Sequence, residues 1–146
     1  MRRLLPLLIL PLIAACATQV GEPSPSLGGV NLDQPLRALG TEPFWAVELR
    51  PDVLIYSGVD RPEQRASQPR RTVSADEAVY RGTTESGASL TVTLTPAACS
   101  DGMSDRVYPL TAEVEIGRER LSGCAASVRA IMNGGESGFV ADQTPG

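Results

Sequence analysis

The residues best suited to chemistry lie in one short stretch, Ser100-Asp101-Gly102-Met103-Ser104-Asp105-Arg106. Two carboxylates and two hydroxyls beside a glycine suit a cation or polar-ligand site. The stretch lacks the ligand spacing of a calcium hand, and no bidentate Glu closes it. The competing reading is local: Ser100 and Asp101 bond their own backbone in an Asx-type turn, and Asp105 pairs with Arg106 or a strand-end amide. Met103 is an apolar residue in a polar loop, so it either folds inward or meets a partner. A further carboxylate, Glu42, stands between Thr41 and Pro43. Glu42 with Asp101 or Asp105 is the plausible pair for glycoside hydrolysis, against which stands turn capping by Thr41 and Glu42. Every basic residue is Arg, and the chain has neither His nor Lys. A serine nucleophile thus lacks its usual bases, and a transition metal lacks its commonest ligand. The expectation is no catalysis, no cofactor and no metal site.

The N-terminus places this chemistry outside the cytoplasm. Met1-Arg2-Arg3 precedes an apolar stretch from Leu4 to Leu12, and Ile13-Ala14-Ala15-Cys16 follows. A short basic start, a short apolar stretch and small residues form a secretory signal peptide, here residues 1–15. The small residues before Cys16 resemble the bacterial lipobox, which implies a diacylglyceryl thioether on Cys16 and an acylated (palmitate-type) amine. Each buried CH₂ contributes about 0.8 kcal/mol, so multiple chains anchor the protein stably. Ala17 replaces the Asp that favours inner-membrane retention, which points to the outer membrane, facing the periplasm. The chain has a net charge of −4 and loses Arg2 and Arg3 on processing, so the mature protein is more acidic still. An acidic domain is a poor ligand for nucleic acid. Cys99 and Cys124 remain, and two cysteines in an oxidising compartment imply a disulfide.

The elements that must position these residues read as strands. Residues 16–36 are rich in Gly, Pro and Ser and predict a flexible tether; residues 133–146 predict a disordered tail. Between them, residues 37–132 carry a period of two. Trp45, Val47 and Leu49 oppose Ala46, Glu48 and Arg50; Leu90, Val92 and Leu94 oppose Ser89, Thr91, Thr93 and Thr95. Tyr108, Leu110, Ala112, Val114 and Ile116 oppose Thr111, Glu113 and Glu115. Such alternation marks half-buried antiparallel strands. Shorter candidates are Val53 to Ser57, Arg71 to Ala75, Ala78 to Arg81 and Arg120 to Cys124, with a short turn or helix over Ala125 to Met132. A hairpin turning at Gly117-Arg118 sets Val114 opposite Leu121, Ala112 opposite Gly123 and Thr111 opposite Cys124. That register puts the disulfide on the outer face or rim. Trp45 is expected in the core at the end of the first strand. The fold class predicted is all-β, a small antiparallel barrel of about seven to eight strands, lipocalin-like or lysozyme-inhibitor-like.

Two segments are distinctive: Gly40-Thr41-Glu42-Pro43-Phe44-Trp45, and Cys99 to Arg106 followed by Tyr108-Pro109 and closed by Gly123-Cys124. Together they resemble a bacterial envelope family, many of its members lipoproteins, with a GTEPFW segment, a CSDGMSD-R-YP segment and a GC. Its domain is sometimes found beside META domains, the type in a heat-shock-associated lipoprotein. The resemblance implies a β-rich envelope domain and no particular activity. Lysozyme inhibitors offer a second comparison, but Ser86-Gly87-Ala88-Ser89-Leu90 lacks the Tyr of their Ser-Gly-x-x-Tyr loop, and the chain lacks Lys. The function expected is a non-catalytic binding or envelope-maintenance module. Its contact surface is Thr41, Glu42, Ser100, Asp101, Met103, Ser104 and Asp105, and its partner an envelope protein or glycan. A lysozyme-inhibitor-like binder and a carrier of a small apolar ligand are the alternatives.

Overall fold

The computed structural model describes residues 22–142. The signal peptide, Cys16 and the first residues of the tether segment lie outside these, as do residues 143–146. Fourteen strands and one helix follow in order. They are β1 (Ser26–Leu27), β2 (Val30–Asn31), β3 (Leu36–Thr41), β4 (Phe44–Leu49), β5 (Val53–Gly58), β6 (Arg61–Ser67), β7 (Arg70–Val73) and β8 (Ala78–Thr83). Then come β9 (Ser89–Thr95), β10 (Cys99–Ser100), β11 (Asp105–Tyr108), β12 (Leu110–Ile116), β13 (Glu119–Ser127), α1 (Val128–Asn133) and β14 (Ser137–Phe139).

The chain is all-β, but the expected closed barrel is not formed. Nine strands make one curled sheet, a half-barrel, in the order β6-β5-β4-β3-β13-β12-β9-β8-β7. The ends of the sheet approach each other: the Glu85 amide donates to the Arg65 carbonyl at 2.9 Å. Closure fails because β8 already pairs on both edges, with β9 and with β7. Strand β6 therefore meets β8 through side chains. A Cβ added at Gly82 would lie 2.8 Å from the Ala66 Cβ, so only glycine admits this approach. The two edge strands carry little apolar pattern: β7 falls on the expected candidate from Arg71 to Ala75, whereas β6 was not expected. β6 reads RPEQRAS and buries Ala66 alone, while β7 is exposed throughout. Charged residues and a proline suit sheet edges, where they block pairing with other chains.

The concave side carries the main core, including Leu36, Val47, Leu54, Leu90, Val92, Leu94, Leu110 and Val114, all fully buried. The β12–β13 hairpin has the expected register, with Val114 opposite Leu121, Ala112 opposite Gly123 and Thr111 opposite Cys124. Gly117 has φ +60°, the left-handed conformation that a tight hairpin turn requires at its first position.

A second layer covers part of the convex side. Strands β10, β11 and β14 form a small sheet, with β14 parallel to β11. Tyr108, Cys124, Ala126, Ala130 and Val140 form a second buried cluster there. The Cys99–Cys124 disulfide is formed. It lies on the outward face as the register demands, yet Cys124 is fully buried by this layer. Tyr108 also belongs to this cluster, a correction to its expected place on the inner face. Pro109 lacks an N–H and separates β11 from β12, so the chain changes sheets there. Helix α1 starts where the Ser127 side chain accepts a hydrogen bond from the Ala130 amide at 3.0 Å.

Both flanking segments, in their described parts, are folded where flexibility was expected. Leu27, Val30 and Leu32 are buried, and β1 and β2 form a hairpin. The turning residues Gly28 and Gly29 have φ +56° and +79°, which only glycine adopts at little cost. Downstream, Val140 is buried and its amide donates to the Val107 carbonyl at 2.9 Å. The Asp142 carboxylate accepts from Ser127 and from Gln34, each at 2.6 Å. Isolated apolar residues among glycines and prolines show no period, so their burial depends on a surface built by distant strands.

Candidate functional site

The two distinctive segments meet. On the concave side, Trp45 is 5% exposed and pairs with Gly40 across β3 and β4. A Cβ at Gly40 would lie 2.2 Å from the Trp45 Nε1. A Cβ at Gly123 would lie 2.0 Å from the Leu39 carbonyl oxygen and 2.9 Å from the Trp45 Cζ2. The indole therefore occupies the space that two side chains would fill. One glycine comes from each motif, so a single packing contact explains three motif residues.

On the convex side, the Thr41 hydroxyl donates to the Asp101 carbonyl at 2.7 Å. This bond links the β3–β4 turn, with its cis Glu42-Pro43 peptide, to the loop between β10 and β11. That loop is organised by its own side chains. The Asp101 carboxylate accepts from the amides of Met103 at 2.9 Å and Ser104 at 2.8 Å. It also accepts from the hydroxyls of Ser104 at 2.7 Å and Tyr108 at 3.4 Å. The Ser100 hydroxyl accepts from the Gly102 amide at 3.2 Å. These are the Asx-type bonds of the local reading, and Gly102 at φ +75° lets the loop turn. Burial pushes the Asp101 carboxyl upward, but the donors outweigh it and hold the pKa below the ordinary aspartate value. At neutral pH Asp101 is an anion already engaged by four donors, which suits a structural hub better than a proton carrier.

Between this loop and the outward face of β3, β4 and β5 runs an open groove of about 690 Å³. Thr41, Asp101, Met103 and Ser104 line it; Glu42, Ser100 and Asp105 do not. Among the described residues Asp105 makes no ion pair with Arg106, whose guanidinium instead donates to the Gly135 carbonyl at 2.7 Å. Residues missed by sequence reasoning complete the groove: Arg37, Phe44, Val59, Arg106, Tyr108 and Ile131. Phe44 was detectable, because it stands in the outward phase of a strand whose inward residue is Trp45. Val59 follows β5 and carried no signal. Its amide donates to the Phe44 carbonyl at 3.1 Å, which sets the two side by side. Phe44 is 51%, Val59 57% and Met103 69% exposed.

Among the described residues, no group of three or more Cys, Asp or Glu is clustered to hold a metal, and no helix is long and apolar enough to cross a membrane. The Ser86 hydroxyl, from the turn compared with lysozyme inhibitors, donates to the Gln64 side chain at 2.9 Å. Comparison with family models, with curated proteins and with solved structures finds no match to this chain.

Proposed function

We propose that this chain is a non-catalytic envelope lipoprotein whose groove binds a macromolecular partner. It is anchored through Cys16, in the outer membrane and facing the periplasm, and is of the type resembled by its GTEPFW and CSDGMSD segments. The observation that carries the binding reading is the groove itself. Three large apolar side chains stand at least half exposed in one concavity, and an exposed apolar patch of this kind marks a contact site on a soluble domain. The rim is prepared for binding: the disulfide, Asp101 and Thr41 hold the loop in one conformation, which lowers the entropy cost of association. The carrier reading is less favoured, because side chains fill the concave side of the sheet.

The test is site-specific photo-crosslinking in cells producing the native, lipidated protein. A photoreactive residue at Val59 should yield a discrete adduct, and one at Asp52, exposed in the turn at the opposite end of β4, should not. Equal labelling at both positions would refute the groove as the contact surface. Intact-mass analysis of the same material should show an acylated Cys16 at the mature N-terminus.

A further inference from the structure

We propose that the occupant of the groove is an extended protein segment pairing an aliphatic or aromatic side chain with an acidic one, an inference that rests on the groove being the contact surface. The apolar anchor would sit on Phe44, Val59 and Met103, and the carboxylate against Arg37. The charge of the groove carries the second half of this. The chain is acidic overall, yet two arginines line the groove. Arg106 is held by the carbonyls of Gly134 and Gly135, which leave its charge uncompensated. Arg37 has no carboxylate within ion-pair distance among the described residues. Glu48, opposite Arg37 across the strands, is instead bonded to Arg50 at 2.7 Å. Of the groove's own acids, Asp101 is engaged by its loop, and Glu136 is exposed and makes no ion pair among the described residues.

The same observations disfavour other occupants. A glycan needs many free hydrogen-bonding groups around an aromatic face. Here the Asp101 carboxylate and the Ser100 and Ser104 hydroxyls serve the loop's own backbone and side chains. An acyl chain needs enclosing walls to leave water, and this groove is open. A side chain entering from above needs only a floor, and methionine adapts to varied shapes there. Arginine suits the polar part of such a contact, because its planar fork binds a carboxylate through two hydrogen bonds.

The experiment is selection of random linear peptides, displayed on phage, on the mature lipidated protein in detergent. Enriched sequences should place Asp or Glu beside a Leu, Ile, Phe or Trp. A synthetic copy of the best one should lose about tenfold or more in affinity with Arg37→Glu and with Phe44→Ala. Exchanging its acidic residue for Lys should restore binding to Arg37→Glu, and blue-shifted Trp45 emission should verify that each variant is folded. Selected peptides that carry no acid, or that bind Arg37→Glu unchanged, overturn the acidic-segment assignment but leave the groove standing if Phe44→Ala still abolishes binding. Peptides indifferent to Phe44→Ala and to Met103→Ala overturn the groove itself. If no peptide is enriched while a glycan array or a fluorescent fatty acid binds in a Phe44-dependent way, the partner class is wrong and the site right. No binding of any probe overturns both.

Discussion

The two faces of the sheet at Trp45 hold their motif residues by different means. On the concave face, Gly40, Trp45 and Gly123 are fixed by shape: an indole fills the volume left by two missing side chains. On the convex face, the loop from Ser100 to Ser104 is fixed by directed bonds and a covalent tether. Shape fitting is intolerant of volume change and indifferent to pH and redox state. Directed bonding is tolerant of volume but sensitive to protonation and reduction. The loop wall of the groove is therefore held by the more adjustable of the two.

The largest break in this contrast is Trp45→Ala. It should cost about 3–5 kcal/mol in denaturant unfolding, because the site is buried and the glycines cannot fill the cavity. A loss below about 1 kcal/mol would show that the indole is not a packing element. Next, replacing Cys99 and Cys124 together by Ser should cost roughly 3–4 kcal/mol on the chain-entropy model, given a sequence separation of 25. Amide exchange should rise first in the loop from Ser100 to Ser104, with the β9–β12 ladder remaining protected. Uniform loss of protection would erase the difference between the two faces.

A smaller effect sharpens the shape argument. Gly40→Ala should destabilise by about 1–3 kcal/mol in the natural background and far less beside Trp45→Ala, since the clash is with the indole. Strict additivity in that double-mutant cycle would place the glycine's role elsewhere. Smallest is the pH dependence. The pKa of Asp101 is depressed in the folded state, so its contribution is fully present above the unfolded value and is lost as pH falls through the folded one. Stability should decline below about pH 4, less steeply in Asp101→Asn. Asp142, also depressed despite the upward push of burial, because Ser127, Gln34 and Arg129 donate to it, adds to the same acid loss. An Asp101→Asn variant with an unchanged acid limb would remove the loop from that account.

Much of the sheet is legible in the sequence. The β12–β13 register followed from a two-residue turn and alternation on both sides, each of which is local. The same register placed Cys124 on the outward face. By contrast, β6 is nearly all polar, and residues 26–32 carry three buried apolar side chains among glycines. Their structure depends on surfaces that other segments supply, so no pattern within them announces it.

By itself, then, the sequence determined that the chain is all-β, which faces of its main strands turn inward, and which cysteines pair, because alternation, turn chemistry and cysteine count are properties of short segments or of composition. Tertiary structure alone decided that the sheet curls without closing, that Trp45 rests on glycines from two motifs, and that Thr41 and Asp101 meet at a groove with Phe44, Val59 and Met103. The physical reason is competition for edges and volumes. Once β8 has taken β7 and β9 as neighbours it cannot pair with β6, and a Trp settles where side chains are absent. Those outcomes depend on residues far apart in the chain, which no local pattern encodes.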